Sequence, residues 1–213
     1  MARIVKKPEE RRQEIVKAAR HLFQTKEYDQ ATMKDVMESV GIAKGTIYHY
    51  FKSKKELLEA VIDDMVTESL DAMQRVVDGA EGNALQKIQS LTERGNIAAE
   101  EPAILDHLHQ PGNEAMHVRL LAATLAKQAP LYAQLIQQGC DEGLFHTDCP
   151  LESAEFVLAA VQFLTDVGIY PWTEKELIRR ARAFPKLIEQ QLKAPPGSFD
   201  FMVQSSVHGT NKA

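Results

Sequence analysis

The sequence predicts an all-α fold of about nine helices, divided between a small amino-terminal three-helix domain and a larger carboxy-terminal helical domain. Apolar residues recur at helical spacing almost to the end of the chain, and no segment shows the alternation of a strand or an internal repeat. Gly and Pro interrupt this spacing where helices are expected to end. With 213 residues and 44% hydrophobic content, the chain is long enough and apolar enough to bury a core.

The first predicted helix covers residues 9–25. One face is an apolar stripe spaced i, i+3, i+4, i+7 and i+8, and the opposite face carries Lys and Arg. The stripe consists of Ile15, Ala18, Ala19, Leu22 and Phe23.

Two short helices joined by a tight turn follow within residues 32–55. Thr32 with Asp35 three residues later is a helix-start pattern, and Gly41 ends the first short helix. Helical spacing then resumes over residues 43–51. This arrangement is a helix-turn-helix.

The second short helix presents small, hydroxylated and aromatic side chains on one face. Ile47 and Phe51 lie one turn apart and face inward, so the other side chains point away from the domain. Such residues can approach a duplex closely and hydrogen-bond phosphates or base edges. The outward residues are Gly45, Thr46, Tyr48 and His49. A helical hairpin with a solvated polar face is the alternative, but it gives no reason to expose an aromatic ring.

The charge of the chain is unevenly distributed. Residues 1–60 carry 13 Lys and Arg against 9 Asp and Glu, whereas the remainder carries 12 against 21. Lys44 begins the second short helix, and Lys52, Lys54 and Lys55 follow it, so each can reach the phosphate backbone. A basic amino-terminal segment followed by an acidic remainder predicts that the amino-terminal end approaches nucleic acid.

These segments resemble the DNA-binding domain of the TetR family of transcriptional repressors. The similar stretches are IVKAARHLF at 15–23, Tyr28, TMKDV at 32–36 and GIAKGTIYHYFKSKKELL at 41–58. The resemblance implies a third helix that reads the major groove and a homodimer bound to a near-palindromic DNA operator. It implies DNA contacts at Thr32, Lys34, Lys44, Gly45, Thr46, Tyr48, His49 and Lys54. The chain departs from the family pattern at Ala43, where a small hydroxyl residue is common, and at Met33 and Met37.

The domain boundaries are predicted at residues 53 and 194. Residues 1–53 form the helix-turn-helix domain, residues 54–194 an effector-binding and dimerisation domain, and residues 195–213 a carboxy-terminal tail. The tail is expected to be flexible, and the alternative is that its apolar residues pack back on the bundle or meet another chain; these residues are Phe199, Phe201, Met202 and Val203. The second domain begins with a connecting helix over residues 54–78, which joins the two units mechanically. Five further helices are predicted at 83–99, 102–109, 113–142, 151–169 and 173–192.

The last two predicted helices have apolar faces wider than a surface helix needs. Pairing with a second copy as a four-helix bundle would bury them, and ordinary intrachain core is the alternative. The family resemblance favours dimerisation. The predicted interface residues are Ala154, Leu158, Val161, Leu164, Ile178, Ala181, Phe184 and Ile188.

A mostly apolar ligand cavity is predicted inside the second domain. Core packing explains each candidate residue equally well, because a helical bundle of this size needs large apolar residues. The family resemblance implies a small-molecule effector, whose identity the sequence does not reveal. The candidate lining consists of Met116, His117, Leu121, Tyr132, Phe163, Tyr170 and Trp172.

No metal site, cofactor or catalytic activity is predicted. His107 and His109 are two positions apart, so on a helix they point about 200° from each other and cannot share an ion. Cys140 and Cys149 lack the spacing of a metal site and are expected to be reduced thiols of a cytoplasmic protein. The sequence contains no phosphate-binding loop, nucleophile elbow or HExxH motif, and no apolar run long enough to cross a membrane.

The expected function is that of a TetR-type transcriptional regulator. It is predicted to repress transcription as a homodimer on a palindromic operator and to be released by a small-molecule effector. A DNA-bound scaffold or an activator without such an effector is the alternative. A cavity within the second domain would favour the first reading.

Overall fold

The predicted all-α architecture is confirmed. A computed structural model describes residues 7–26, 28–94, 102–110 and 112–203, and within these ranges the chain forms helices and no strand. None of the described helices has both the length and the apolarity needed to cross a bilayer. The helices are α1 (Pro8–Thr25), α2 (Met33–Val40), α3 (Lys44–Tyr50), α4 (Lys54–Gly79), α5 (Ala84–Arg94), α6 (Pro102–Leu108), α7 (Glu114–Asp141), α8 (Pro150–Leu164) and α9 (Glu174–Leu192).

The end of α8 differs from its prediction. The helix stops at Leu164, although helical spacing had predicted it as far as Ile169. Asp166 Oδ1 accepts the backbone N–H groups of Gly168 and Ile169 at 2.8 and 3.0 Å. A side chain that satisfies backbone donors in this way favours a turn over a continued helix. The end predicted for the helix at 83–99 lies outside the described residues.

The core of the amino-terminal domain extends into the second domain. Ile47 and Phe51 are fully buried in it, as predicted. Ile104 and Leu108 of α6 belong to the same cluster, as does Met116 at the start of α7. The amino-terminal domain therefore packs against α6, through α1 and through Tyr28 beside His107.

Helix α4 connects this core with a second one. Ser53 caps its start by accepting the backbone N–H of Glu56 at 3.1 Å. Met65 is buried in the amino-terminal core, whereas Met73, about two turns later, is buried in the core formed with α5, α7, α8 and α9. A single 26-residue helix thus contributes to both cores, as the predicted connecting role requires.

The first part of the predicted tail packs against the second core. Phe199 is only 2% exposed and its ring stacks on Phe145 with a centroid distance of 5.9 Å. Its backbone N–H donates to the carboxylate of Glu189 at 3.3 Å. For residues 195–203 the alternative that the tail packs back on the bundle is therefore favoured, since burial of apolar area outweighs the missing helical pattern. Residues 204–213 lie outside the described ranges.

Candidate nucleic-acid interface and cavity

A reciprocal cap fixes the start of α2. The Thr32 hydroxyl accepts the N–H of Asp35 at 3.1 Å, and the Asp35 carboxylate accepts both the N–H and the hydroxyl of Thr32 at 2.7 Å. Lys26, 2.9 Å from that carboxylate, and these bonds from Thr32 lower the pKa of Asp35 to about 2. The structure thus gives Thr32 a capping role. Its hydroxyl is engaged within the chain, although the family resemblance implies a DNA contact at this residue.

A left-handed residue sets the turn between α2 and α3. Gly41 has φ of 69° and caps the end of α2. A residue with a side chain adopts this conformation at a cost, so glycine suits the position. The turn directs the face of α3 opposite Ile47 away from the amino-terminal core.

The outward face of α3 is available to a partner. Tyr48 is 36% exposed, Lys44, Gly45 and His49 are exposed, and Thr46 is half-buried. A Cβ atom added at Gly45 would meet no atom within 4 Å, so packing within the chain does not require glycine there. A flat, uncrowded surface of this kind permits close approach of a nucleic-acid backbone.

Cations surround this face. The Lys44 ammonium lies 5.9 Å from the centroid of the Tyr48 ring. Lys34 on α2 is strongly exposed and lies 3.6 Å from Glu38, a pairing that solvent and salt screen. Lys55 is also exposed. All three side chains can reach phosphates without breaking a buried interaction.

Lys54 is directed into the domain and not outward. Its ammonium donates to the carbonyl oxygens of Tyr28 and Ala31 at 2.7 and 3.0 Å, and more weakly to that of Asp29 at 3.3 Å. It also lies 4.1 Å from the centroid of the Tyr28 ring, and desolvation lowers its pKa. The DNA contact predicted for Lys54 therefore conflicts with its geometry, because its three N–H donors hold the segment after α1 against α4.

The seven predicted ligand-lining residues do not surround one cavity. Met116 is buried in the amino-terminal core, and His117 pairs with Asp166. Leu121 and Phe163 line an open groove between α7 and α8. The ring of Tyr170 stacks on that of Trp172 with a centroid distance of 4.9 Å. Of these seven residues Tyr132 alone lines the partly open cavity described next, because helical spacing does not report which apolar side chains meet across the bundle.

A cavity of about 420 Å³, partly open to solvent, lies between α5, α7, α8 and α9 and is also lined by Phe199 and Met202 from the segment after α9. Its lining is apolar apart from Thr92 and the Tyr132 hydroxyl. Burial raises the pKa of Tyr132 to about 12. The lining residues are Ile88, Leu91, Thr92, Tyr132, Ile136, Ala154, Val157, Leu158, Val161, Ile188, Leu192, Phe199 and Met202.

Several residues predicted for the dimer interface belong to this interior. Ala154, Phe184 and Ile188 are buried within their own chain, at 1%, 7% and 4% exposure, and Leu158 and Val161 line the cavity. Ala181 is half-buried. For these positions the intrachain alternative is favoured, since an interface side chain must be accessible before the partner binds.

Helices α8 and α9 and the segment between them also expose large apolar residues. Most of these are not among the eight residues predicted for the dimer interface. Leu164 and Ile178, both predicted, are 38% and 41% exposed. The other large ones are Leu151, Phe156, Phe163, Val167 and Leu187, of which Phe156 is 65% exposed. Since α8 is apolar on nearly every side, its sequence did not reveal which side faces inward.

Two family models match the chain. The model of bacterial regulatory proteins of the tetR family matches residues 15–61, and that of the tetracycline repressor-like carboxy-terminal domain matches residues 97–187. The first covers the helix-turn-helix unit and the start of α4. The second covers most of the larger domain, to which the resemblance of the sequence had not extended.

Curated relatives are transcriptional regulators. The transcriptional repressor KstR2 of Mycolicibacterium smegmatis is 25% identical over 151 residues, which cover 68% of this chain and 72% of that protein. The regulator YfiR of Bacillus subtilis is 26% identical over 162 residues, covering 73% and 79% respectively. Both alignments extend well beyond the DNA-binding domain.

Solved structures share the fold. A TetR-family regulator from Pectobacterium atrosepticum has a TM-score of 0.64 and 21% identity, covering 88% of this chain and 96% of its own. RolR in complex with resorcinol has a TM-score of 0.63 and 17% identity, covering 93% and 94%.

Proposed function

Because this chain belongs to the TetR family of bacterial transcriptional regulators, we propose that it is a repressor that binds a palindromic operator as a homodimer and leaves it when a small molecule fills the cavity. Such a repressor is not an enzyme and acts in the cytoplasm, where the chromosome lies.

The exposed face of α3 is the observation that carries this proposal. Buried Ile47 and Phe51 fix the helix in its domain, while Lys44, Tyr48 and His49 remain accessible. The phenol and imidazole can hydrogen-bond base edges or phosphates, and the ammonium can neutralise a phosphate. Thr46 and Gly45 complete the surface we assign to DNA, with Lys34 beside it.

The exposed apolar face of α8 supports the homodimer. Phe156, Phe163 and Leu164 border a groove of about 460 Å³ between α7 and α8, whose only polar lining residue is Gln162. Monomeric soluble proteins rarely expose a continuous apolar surface of this kind, and a second copy related by a twofold axis would cover it with the same surface. Two α3 helices could then read half-sites one DNA turn apart, roughly 34 Å.

A charge placed in this groove tests the dimer. Phe156→Arg should shift the chain toward monomer in analytical ultracentrifugation, because dimerisation would bury the guanidinium. Gln134→Arg, at an exposed position of α7 outside the groove, is the matched control. If Phe156→Arg leaves the chain as dimeric as the control does, α8 is not the interface.

The cavity supports a small, mostly apolar effector with a hydrogen-bonding group. Its volume lies within the roughly 300–1,000 Å³ of typical ligand sites. Tyr132 and Thr92, the polar residues of the lining, indicate that the effector carries a hydroxyl or a similar hydrogen-bonding group. The fold relative RolR is described with resorcinol, which combines an apolar ring with hydroxyl groups, and phenols are therefore reasonable first compounds.

Operator binding in the presence of such compounds tests the release mechanism. A phenol that binds in the cavity should weaken operator binding, since an effector acts only by its different affinity for the two states. Tyr132→Phe keeps the ring and removes only the hydroxyl, so it should bind the same phenol more weakly while binding operator normally. If saturating ligand leaves operator affinity unchanged, the DNA-bound regulator without an effector is the better reading.

A further inference from the structure

Three metal-ligating side chains meet at a point that neither the DNA surface nor the cavity uses. His109 follows α6, His117 lies in the first turn of α7, and Asp166 follows α8. One ligand atom from each lies within 4.8 Å of the other two. His117 Nε2 is 2.9 Å from Asp166 Oδ2, and both side chains are almost completely buried.

The backbone around these side chains is shaped to hold them. A Cβ atom at Gly168 would lie 2.4 Å from Cδ2 of His109 and 2.7 Å from Cε1 of His117, so both imidazoles pack where only glycine leaves room. Asp166 Oδ1 accepts two backbone N–H groups, from Gly168 and Ile169, which leaves Oδ2 directed at His117. Hydrogen bonds that orient a ligand in this way are typical of metal sites.

The donor set suits a particular class of ion. Two imidazole nitrogens and one carboxylate oxygen are common ligands of Zn²⁺ and related divalent transition metals. Bonds of about 2.0–2.2 Å place two ligands of a tetrahedral ion about 3.4 Å apart, so the side chains need move little. The exposed ring of His109 gives the ion a path from solvent.

We propose that His109, His117 and Asp166 bind one divalent transition-metal ion, with Zn²⁺ as the best match, and that a fourth position remains for water or another ligand. This goes beyond the proposed repressor function and revises the expectation of no metal. The spacing of His107 and His109 argues against their sharing an ion, but it carries no information about His117 and Asp166.

The position of this site gives it a mechanical consequence. His107, two residues before His109, packs against the Tyr28 ring in a tilted arrangement with a centroid distance of 4.1 Å, and its Nδ1 lies 3.4 Å from the Asp29 carboxylate. The same backbone segment holds the Lys54 ammonium. A bound ion would therefore fix the end of α6 to α7 and to the turn after α8, while α6 rests against the DNA-binding domain.

Calorimetric titration of the chelator-treated full chain with Zn²⁺ tests the site. One ion should bind per chain, and Co²⁺ in its place should give the visible absorption of a tetrahedral N/O site. His109→Gln and Asp166→Asn should each weaken Zn²⁺ binding by about 100-fold or more, since even outer-shell changes cost about 10–100-fold. Asparagine keeps an oxygen for the backbone N–H groups, and thermal melting checks that both variants fold.

His146→Gln is the matched control, because His146 is exposed and lies far along the chain beside Cys149. It should bind Zn²⁺ with the affinity of the unchanged chain. Equal affinity in folded His109→Gln and in this control would overturn the proposal, as would the absence of stoichiometric binding. Both readouts are independent of DNA, so the metal site and the repressor function can fail separately.

Discussion

At the scale of single residues, neighbouring positions of α3 have opposite roles. Ile47 is completely buried, whereas Tyr48 is 36% exposed. Removing the first side chain leaves a hole in the core, and removing the second takes a hydrogen-bonding ring from the surface. Folding and DNA binding can therefore be separated by adjacent substitutions.

Tyr48→Ala should weaken operator binding while changing the free energy of unfolding by no more than about 0.5 kcal/mol, as expected at an exposed position. Ile47→Ala is the contrasting variant and should destabilise the domain by about 2–5 kcal/mol. Fluorescence anisotropy with operator DNA and urea unfolding measure the two effects. Unfolding of Tyr48→Ala would show that its ring belongs to the core.

Lys54→Met should lower the free energy of unfolding and leave the contacts with operator DNA unchanged. The substitution leaves the carbonyl groups of Tyr28 and Ala31 without their donor, at a cost of roughly 1–3 kcal/mol. Lys55→Met, at the exposed neighbouring position, is the control and should weaken operator binding instead. Urea unfolding compares the two variants. If Lys54→Met instead weakened operator binding and kept its stability, Lys54 would belong to the DNA surface.

Asp35 should contribute a pH-dependent part of the stability. Its folded pKa of about 2 lies below the value of about 3.9 expected for an unfolded chain. The stabilisation is therefore complete above about pH 4 and disappears as the pH falls toward 2.

Comparison with Asp35→Asn isolates this effect from the other carboxyl groups. The unchanged chain should have the higher urea midpoint at pH 5, and the difference between the two should shrink as the pH approaches 2. A difference that stays constant over this range would mean that the bonds from Lys26 and Thr32 do not stabilise the charged form of Asp35.

At the scale of helices, local signals determined what the sequence could predict. The starts of α2, α4 and α9 follow Thr32, Ser53 and Thr173, whose side chains accept a backbone N–H within the next turn. Such caps involve residues three apart, so they can be read directly. The end of α8 depends on Asp166, and aspartate also occurs within helices, so its turn was not predicted.

Contacts between helices were harder to predict. The inward face of α8 was assigned to the dimer because apolar residues cover almost its whole circumference. The cavity and the group formed by His109, His117 and Asp166 bring together residues distant in sequence, and no spacing rule connects them. The amino-terminal domain was predicted in more detail because its functional face lies within one short helix.

The segment after α9 provides an element-scale test. Phe199→Ala should destabilise the second domain by about 3–5 kcal/mol, since the ring is buried against Phe145. Phe201→Ala, at a half-buried position of the same segment, should cost less. Urea unfolding distinguishes the two. Unchanged stability of Phe199→Ala would support the flexible tail that the sequence predicted.

At the scale of the whole molecule, two cores share one long helix. α4 packs its first half with the DNA-binding domain and its second half beside α5 and α7. α6 belongs to the amino-terminal core and ends at the candidate metal site. A change in the second domain can thus reach the amino-terminal core through two packed helices.

The distribution of charge has a consequence at the same scale. We expect the acidic second domain to be repelled by the duplex and the basic amino-terminal domain to be attracted to it. Exposed Lys34, Lys44 and Lys55 can neutralise about three phosphates in each subunit, or about six in a dimer.

The salt dependence of binding to the DNA upstream of its own gene tests the central claim most directly, namely that paired α3 helices read a duplex. The logarithm of the binding constant should fall with the logarithm of salt concentration with a slope of about −5, as expected for six neutralised phosphates. A slope near zero would contradict the account, because a dimer held on DNA through this basic surface must release counterions.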